Sequence, residues 1–138
     1  MTKYLMVVIL MAGLVGCAST RQDLKKIDQL LLTRQQAYAS NDVETMMSTY
    51  HPDYRQGEMN FSLKMSWFSE YFKEGQSYSF SFSNIRFAKR KNIYYVTYDY
   101  TLEKNMTQEG RGFSMKNTDQ RLTLVPFENR LVEYGDHD

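Results

Sequence analysis

Ile93-Tyr94-Tyr95-Val96-Thr97-Tyr98-Asp99-Tyr100-Thr101-Leu102-Glu103 keeps an apolar or aromatic side chain at every second position. Successive residues of a strand point to opposite faces, so Tyr94, Val96, Tyr98, Tyr100 and Leu102 share one face. That face is the expected core side. Ile93, Tyr95, Thr97, Asp99, Thr101 and Glu103 share the other, which reads as a wet face or a subunit contact and argues against a catalytic Asp99.

The same period runs outward from this stretch. Upstream, Tyr78, Phe80 and Phe82 alternate with serines before Ile85 and Phe87 take the opposite parity, which predicts a bulge at Ser83-Asn84. Downstream, Gln108 to Gly112 reads as a turn and Thr118 to Val125 as a third strand with Leu122 and Leu124 inward. Phe127-Glu128-Asn129 follows as a hairpin tip, and Arg130 to Tyr134 as a last edge strand.

Before Gly75 the period is helical. Leu24, Ile27, Leu31 and Tyr38, with Leu30 beside them, predict a helix over 22–39, capped at Thr20 with Asp23 in its first turn. Ser40-Asn41-Asp42 breaks it and caps a second helix bearing Val43, Met46, Met47 and Tyr50, which Pro52 ends. Tyr54 to Met59 offers a short strand. A third helix over 62–73 carries Leu63, Trp67, Phe68, Tyr71 and Phe72, with Gly75 as its stop. Helices followed by an antiparallel meander make an α+β domain, its N-terminal helices packed on a curved sheet.

The first residues concern location. Met1-Thr2-Lys3-Tyr4 supplies one cation and Leu5 to Val15 has no charged side chain, the pattern of a secretory leader. The run is shorter than the ~20 residues that span a bilayer. Leu14-Val15-Gly16-Cys17 holds the chain's only cysteine and resembles the lipobox of bacterial lipoproteins. The resemblance implies cleavage after Gly16, a lipid on the Cys17 sulfur and acylation of the new amino group; two or more acyl chains make a firm anchor. Ala18, where an Asp would retain the protein at the inner membrane, implies the outer membrane of a Gram-negative envelope. On this reading residues 1–16 are a leader, 17–21 a lipidated tether and 22–138 one domain.

Composition narrows the partners. With Cys17 carrying lipid no internal disulfide forms, so the fold rests on its core. Lys3 falls in the leader, so of 17 basic residues 16 remain against 16 acidic ones, a balance without a footprint for nucleic acid. The 11 Tyr and 8 Phe suit strands and would also suit a flat apolar ligand. Two separated histidines, His51 and His137, and a consumed cysteine leave no metal constellation, and no cofactor motif is present.

Ala39-Ser40-Asn41-Asp42-Val43-Glu44, Tyr50-His51-Pro52-Asp53-Tyr54 and the closing Glu128 to Tyr134 segment together resemble the nuclear-transport-factor-2-like (NTF2-like) cone superfamily, which includes ketosteroid isomerase and scytalone dehydratase. Leu131 replaces that superfamily's usual Trp. A cystatin-like sheet wrapped on one helix is the nearest alternative, against which three helices speak. The resemblance implies a pocket between sheet and helices, in some members equipped with an acid and tyrosines for proton transfer. Glu58 lies near the position of such an acid, with Tyr38, Tyr50, Tyr98 and Tyr100 as donors. Its own neighbours, Arg55-Gln56-Gly57, favour a solvated carboxylate.

Three functions follow. The first expectation is a lipid-anchored envelope protein with a non-catalytic domain that binds a small apolar ligand or an envelope protein, through Tyr50, Trp67, Tyr98 and Tyr100. The second is a cone enzyme of isomerase, dehydratase or hydrolase type using Glu58 and the tyrosines. The third is a subunit of an envelope complex. Ala88-Lys89-Arg90-Lys91-Asn92 joins two strands and reads as a solvated hairpin, or as a contact for lipid phosphates.

Overall fold

The alternating stretch becomes the second strand of a four-stranded antiparallel sheet. The computed structural model describes residues 2–73, 76–106 and 112–136, with side chains from Ser19 onward except those of Asn105 and Met106. Strand β4 (Ile93–Met106) pairs with β3 (Gln76–Arg90) on one side and β5 (Phe113–Phe127) on the other, and β6 (Arg130–Glu133) pairs with the end of β5. Tyr94, Val96, Tyr98 and Leu102 are buried and Tyr100 is half-buried, as the alternation requires.

Two irregularities bend the sheet. The β3–β4 register shifts between Ser83 and Arg86, with Asn84 at φ 56°, and the β4–β5 register shifts between Tyr98 and Tyr100, with Asp119 at φ 54°. Extra residues in one strand increase local twist and turn a flat sheet into a curved one. Asp99 stands between the two bulges, accepting from the Asn84 side-chain amide at 3.1 Å and from the Asp119 backbone N–H at 2.9 Å. These bonds, the Asp119 N–H first, hold its carboxyl below the usual range. Asp99 is thus a staple of the bend.

The helices cover the inner face of this curved half-barrel. Helix α1 (Thr2–Ser40) packs along β3; α2 (Val43–Met47) and α3 (Phe61–Tyr71) flank a two-stranded ribbon of β1 (Arg55–Gln56) and β2 (Met59–Asn60). The break after α1 is local chemistry: Asn41 takes φ 52°, and the Asp42 carboxylate accepts from the Thr45 N–H at 3.0 Å as N-cap. Asn60 caps α3 in the same way, on the Leu63 N–H at 2.9 Å.

Several boundaries differ from expectation. Helix α1 runs unbroken through the expected tether, so Thr20 is no cap; the helix has no proline, and its two glycines, Gly13 and Gly16, cost only about 1 kcal/mol each. The second helix ends at Met47, before Pro52, because Ser48 to Tyr50 turns to join β6. Strand β5 begins five residues earlier than read, since Phe113 to Asn117 find partners on β4 despite their polar sequence. The Glu128-Asn129 tip is confirmed, with both residues at positive φ as a two-residue hairpin turn requires. Gly75, residues 108–111 of the expected Gln108 to Gly112 turn, His137 and the side chain of Cys17 lie outside the described residues. Among the described residues no helix is long and apolar enough to cross a membrane.

The core is aromatic. Tyr38 stacks on Phe80 with centroids 5.2 Å apart and meets Phe72 edge-on at 5.5 Å, while Phe68 and Phe72 close the space under α3. These rings fill much of the interior of the cone.

Candidate functional site

At the heart of this apolar packing lies a charged pair. Arg34 follows Ile27 and Leu31 on the inward stripe of α1, and its Nη2 donates to Glu133 Oε2 on β6 at 2.8 Å. Arg34 Nε donates to Thr49 Oγ1 at 2.9 Å, which itself donates to the Met46 carbonyl. The guanidinium carbon lies 4.5 Å from the centre of the Tyr50 ring. Both charged side chains are less than a tenth exposed.

Backbone pairing fixes this geometry. The segment after α2 forms a parallel bridge with the last strand: the His51 N–H donates to the Glu133 carbonyl and the Glu133 N–H to the Thr49 carbonyl, each at 2.8 Å. Tyr50 and Glu133 are therefore set side by side. The tail beyond is pinned too, because the Arg55 N–H donates to the Tyr134 carbonyl and Gly135, at φ 76°, passes so close that a Cβ there would lie 2.1 Å from the Arg55 carbonyl oxygen.

Tyrosines surround the pair. Burial pushes the Tyr98 phenol up to about 12, with Glu133 adding and Arg34 opposing, and pushes Tyr54 up to about 12 in the same way. Burial likewise raises Tyr50 and Tyr38 well above the ordinary phenol range. All four stay protonated and able to donate. Lys64 of α3 lies 5.7 Å from the Tyr50 ring centre, and burial, then Arg34, lowers its pKa against the pull of Glu133. A carboxyl group as acceptor beside neutral phenols as donors, in a largely apolar enclosure, is a set of groups that can serve general-base chemistry on a carbon acid.

Two surface cavities reach members of the cluster. One of about 710 Å³ is lined by Gln56, Thr123, Glu133 and Gly135 among others; one of about 760 Å³ is lined by Met47, Tyr50, Phe61, Met65 and Phe127.

Of the residues singled out in sequence, Tyr38, Tyr50 and Tyr98 come together here. Tyr100 stands beside Tyr98, ring centres 5.8 Å apart, but its hydroxyl accepts from Asn117 at the half-exposed edge. Trp67 is 45 % exposed on the outer side of α3, stacked on Tyr71. Glu58 is exposed at the tip of the β1–β2 ribbon, because the Arg55–Asn60 pairing forces residues 57 and 58 into the turn. It is not an interior acid. Arg34, Thr49, Lys64 and Glu133 were not anticipated; a charge among apolar neighbours was the one signal for Arg34, Lys64 and Glu133, and the neutral Thr49 gave none. Among the described residues no group of His, Cys, Asp and Glu is placed to hold a metal.

Known structures share this architecture. A scytalone dehydratase candidate from Novosphingobium aromaticivorans superposes with a TM-score of 0.74 over 86 % of this chain and 84 % of its own, at 10 % identity. A candidate aromatic ring hydroxylase from the same species gives 0.71 over 83 % and 85 %, at 10 % identity. A dehydratase candidate of the NTF2-like family from Streptomyces avermitilis gives 0.66 over 83 % and 94 %, at 9 % identity. The chain therefore has the NTF2-like α+β cone fold. No protein-family model and no curated protein sequence matches it. The expectation of a non-catalytic binding domain is corrected by these likenesses, since the proteins sharing the fold carry dehydratase and hydroxylase names.

Proposed function

We propose that this chain is a cone enzyme that removes a proton from carbon next to a carbonyl or hydroxyl group of a small apolar ring substrate, as in isomerisation or dehydration. The observation that carries it is the buried Glu133 side chain, paired with Arg34 at 2.8 Å beside the neutral phenols of Tyr50 and Tyr98. Glu133 takes the role first assigned to Glu58. It accepts the proton, and a phenol donates to the oxygen on which charge develops or which leaves as water. Glu133 itself lines the cavity of about 710 Å³, and the apolar groove of about 760 Å³ is lined by the neighbouring Tyr50.

The test uses a generic carbon acid. Purified protein is incubated with 2-tetralone in D₂O and exchange of the proton beside the carbonyl is followed by NMR. Exchange above the buffer rate is expected, falling by about 10²-fold or more in Glu133→Gln and by a smaller factor in Tyr98→Phe. Exchange equal in wild type and Glu133→Gln overturns the reading.

The same proposal places the enzyme in the cell envelope, lipid-anchored through Cys17 after removal of residues 1–16. Support comes from Leu14-Val15-Gly16-Cys17 behind an apolar run. Intact mass of membrane-extracted protein is expected to begin at Cys17 with acyl chains and to lose them in Cys17→Ser. A soluble, unacylated wild type overturns the anchoring alone.

A further inference from the structure

The charge-balanced mature chain is not balanced in space. Contacts between α1 and β3 run in opposite directions along the two elements: the Asn41 side-chain amide donates to the Gln76 carbonyl, the Gln35 amide to the Phe80 carbonyl, and Asp23 pairs with Lys89 at 3.6 Å. Strand β3 therefore climbs α1 toward its N-terminus, and the β3–β4 tip arrives level with Asp23. That residue is six positions after Cys17, roughly 9 Å of helix. The tip is fastened there, because Asp23, buried, also accepts from the Tyr94 hydroxyl at 2.7 Å.

One end of the domain thus gathers cations from two distant segments. Arg21, Lys25 and Lys26 of α1 and Lys89, Arg90 and Lys91 of the hairpin are all exposed. The acids facing them are Asp23, already engaged by Lys89 and Tyr94, and Asp28, which lines a cavity with Arg21 and Lys25. Leu24, 40 % exposed, adds an apolar residue to the same end.

We infer that this end is a membrane-docking surface for anionic phospholipid, which seats the domain against the bilayer with the β3–β4 tip among the headgroup phosphates. The inference rests on the proposed anchoring at Cys17, which would present this end first. Charge complementarity identifies the partner: cations close to an anionic bilayer are attracted within a screening length, and a polybasic patch is what reinforces a lipid anchor.

The test separates patch from anchor by using the Cys17→Ser chain, which has no acyl group. Its sedimentation with vesicles of phosphatidylcholine alone is compared with that on vesicles containing half phosphatidylglycerol, and the cation at Lys3 of a retained leader is controlled for by comparing variants that carry the same N-terminus. A strong anionic preference is expected. Lys25→Gln with Arg90→Gln and Lys91→Asn should lower it roughly hundredfold, at about fivefold per cation. Asn suits the φ of 57° at position 91, and an unchanged near-ultraviolet spectrum shows the fold intact. Raising salt from ~0.1 to ~1 M, which shortens the screening length from about 10 to about 3 Å, should abolish the preference. Equal binding to both vesicles, or a triple variant that keeps the preference, overturns the docking surface whatever the intact mass of the wild type shows.

Discussion

Arg34 and Glu133 are 99 positions apart in sequence and 2.8 Å apart in the fold. Removing one partner of such a buried pair costs about 3–5 kcal/mol, because the survivor stays charged without its counterion, whereas replacing both with apolar residues is often neutral or stabilising. Thermal melting of Glu133→Gln should accordingly fall well below wild type. Arg34→Met combined with Glu133→Leu should recover most of that loss and still show no proton exchange on 2-tetralone, which distinguishes a chemical role from a structural one. The tyrosines set a second residue-level outcome. Tyr98 and Tyr54 ionise near 12 when folded but near 10 when unfolded, so the unfolded chain sheds protons first and stability, full below about pH 10, drains away toward pH 12. Absorbance at the phenolate band, with ellipticity beside it, should show these phenols titrating only as the chain unfolds. At Gly135 a Cβ would meet the Arg55 carbonyl oxygen at 2.1 Å, so Gly135→Ala is expected to lower the melting temperature by several degrees.

Strands were more legible than the helix that carries the site. A period of two is kept over Tyr94 to Leu102, and a one-residue slip would expose every core side chain, so the alternation alone orients β4. The parity switch at Ser83-Asn84 likewise announced its bulge, but the second bulge, at Tyr98–Tyr100, left no trace because the irregularity lies in β5 around Asp119. Asp99 binds both bulges, a role its alternation with threonines could not disclose. Asp99→Ala should flatten the sheet locally, seen as faster amide exchange at Asp119 with little change at Tyr94. On α1, Arg34 sits in phase with Ile27, Leu31 and Tyr38, yet a lone cation on an apolar stripe also fits a snorkelling side chain. Its partner, on the last strand, could not be paired with it by local pattern. Glu58 shows the converse: a carboxylate near an expected position, carried outward by a two-residue ribbon too short to read.

The molecule as a whole is closed by its ends. Leu131, Val132 and Glu133 are buried, and the strand that bears them touches α1, β5 and the segment at Thr49 to His51. A chain ending at Phe127 should lack cooperative unfolding by calorimetry, since Arg34 loses its counterion and the core its lid. Until residues 128–135 are available, α1 can pack on β3 but Arg34 has no counterion and the segment at Thr49 to His51 has no strand to join, so the last few residues decide when the buried charge is neutralised and the interior is sealed.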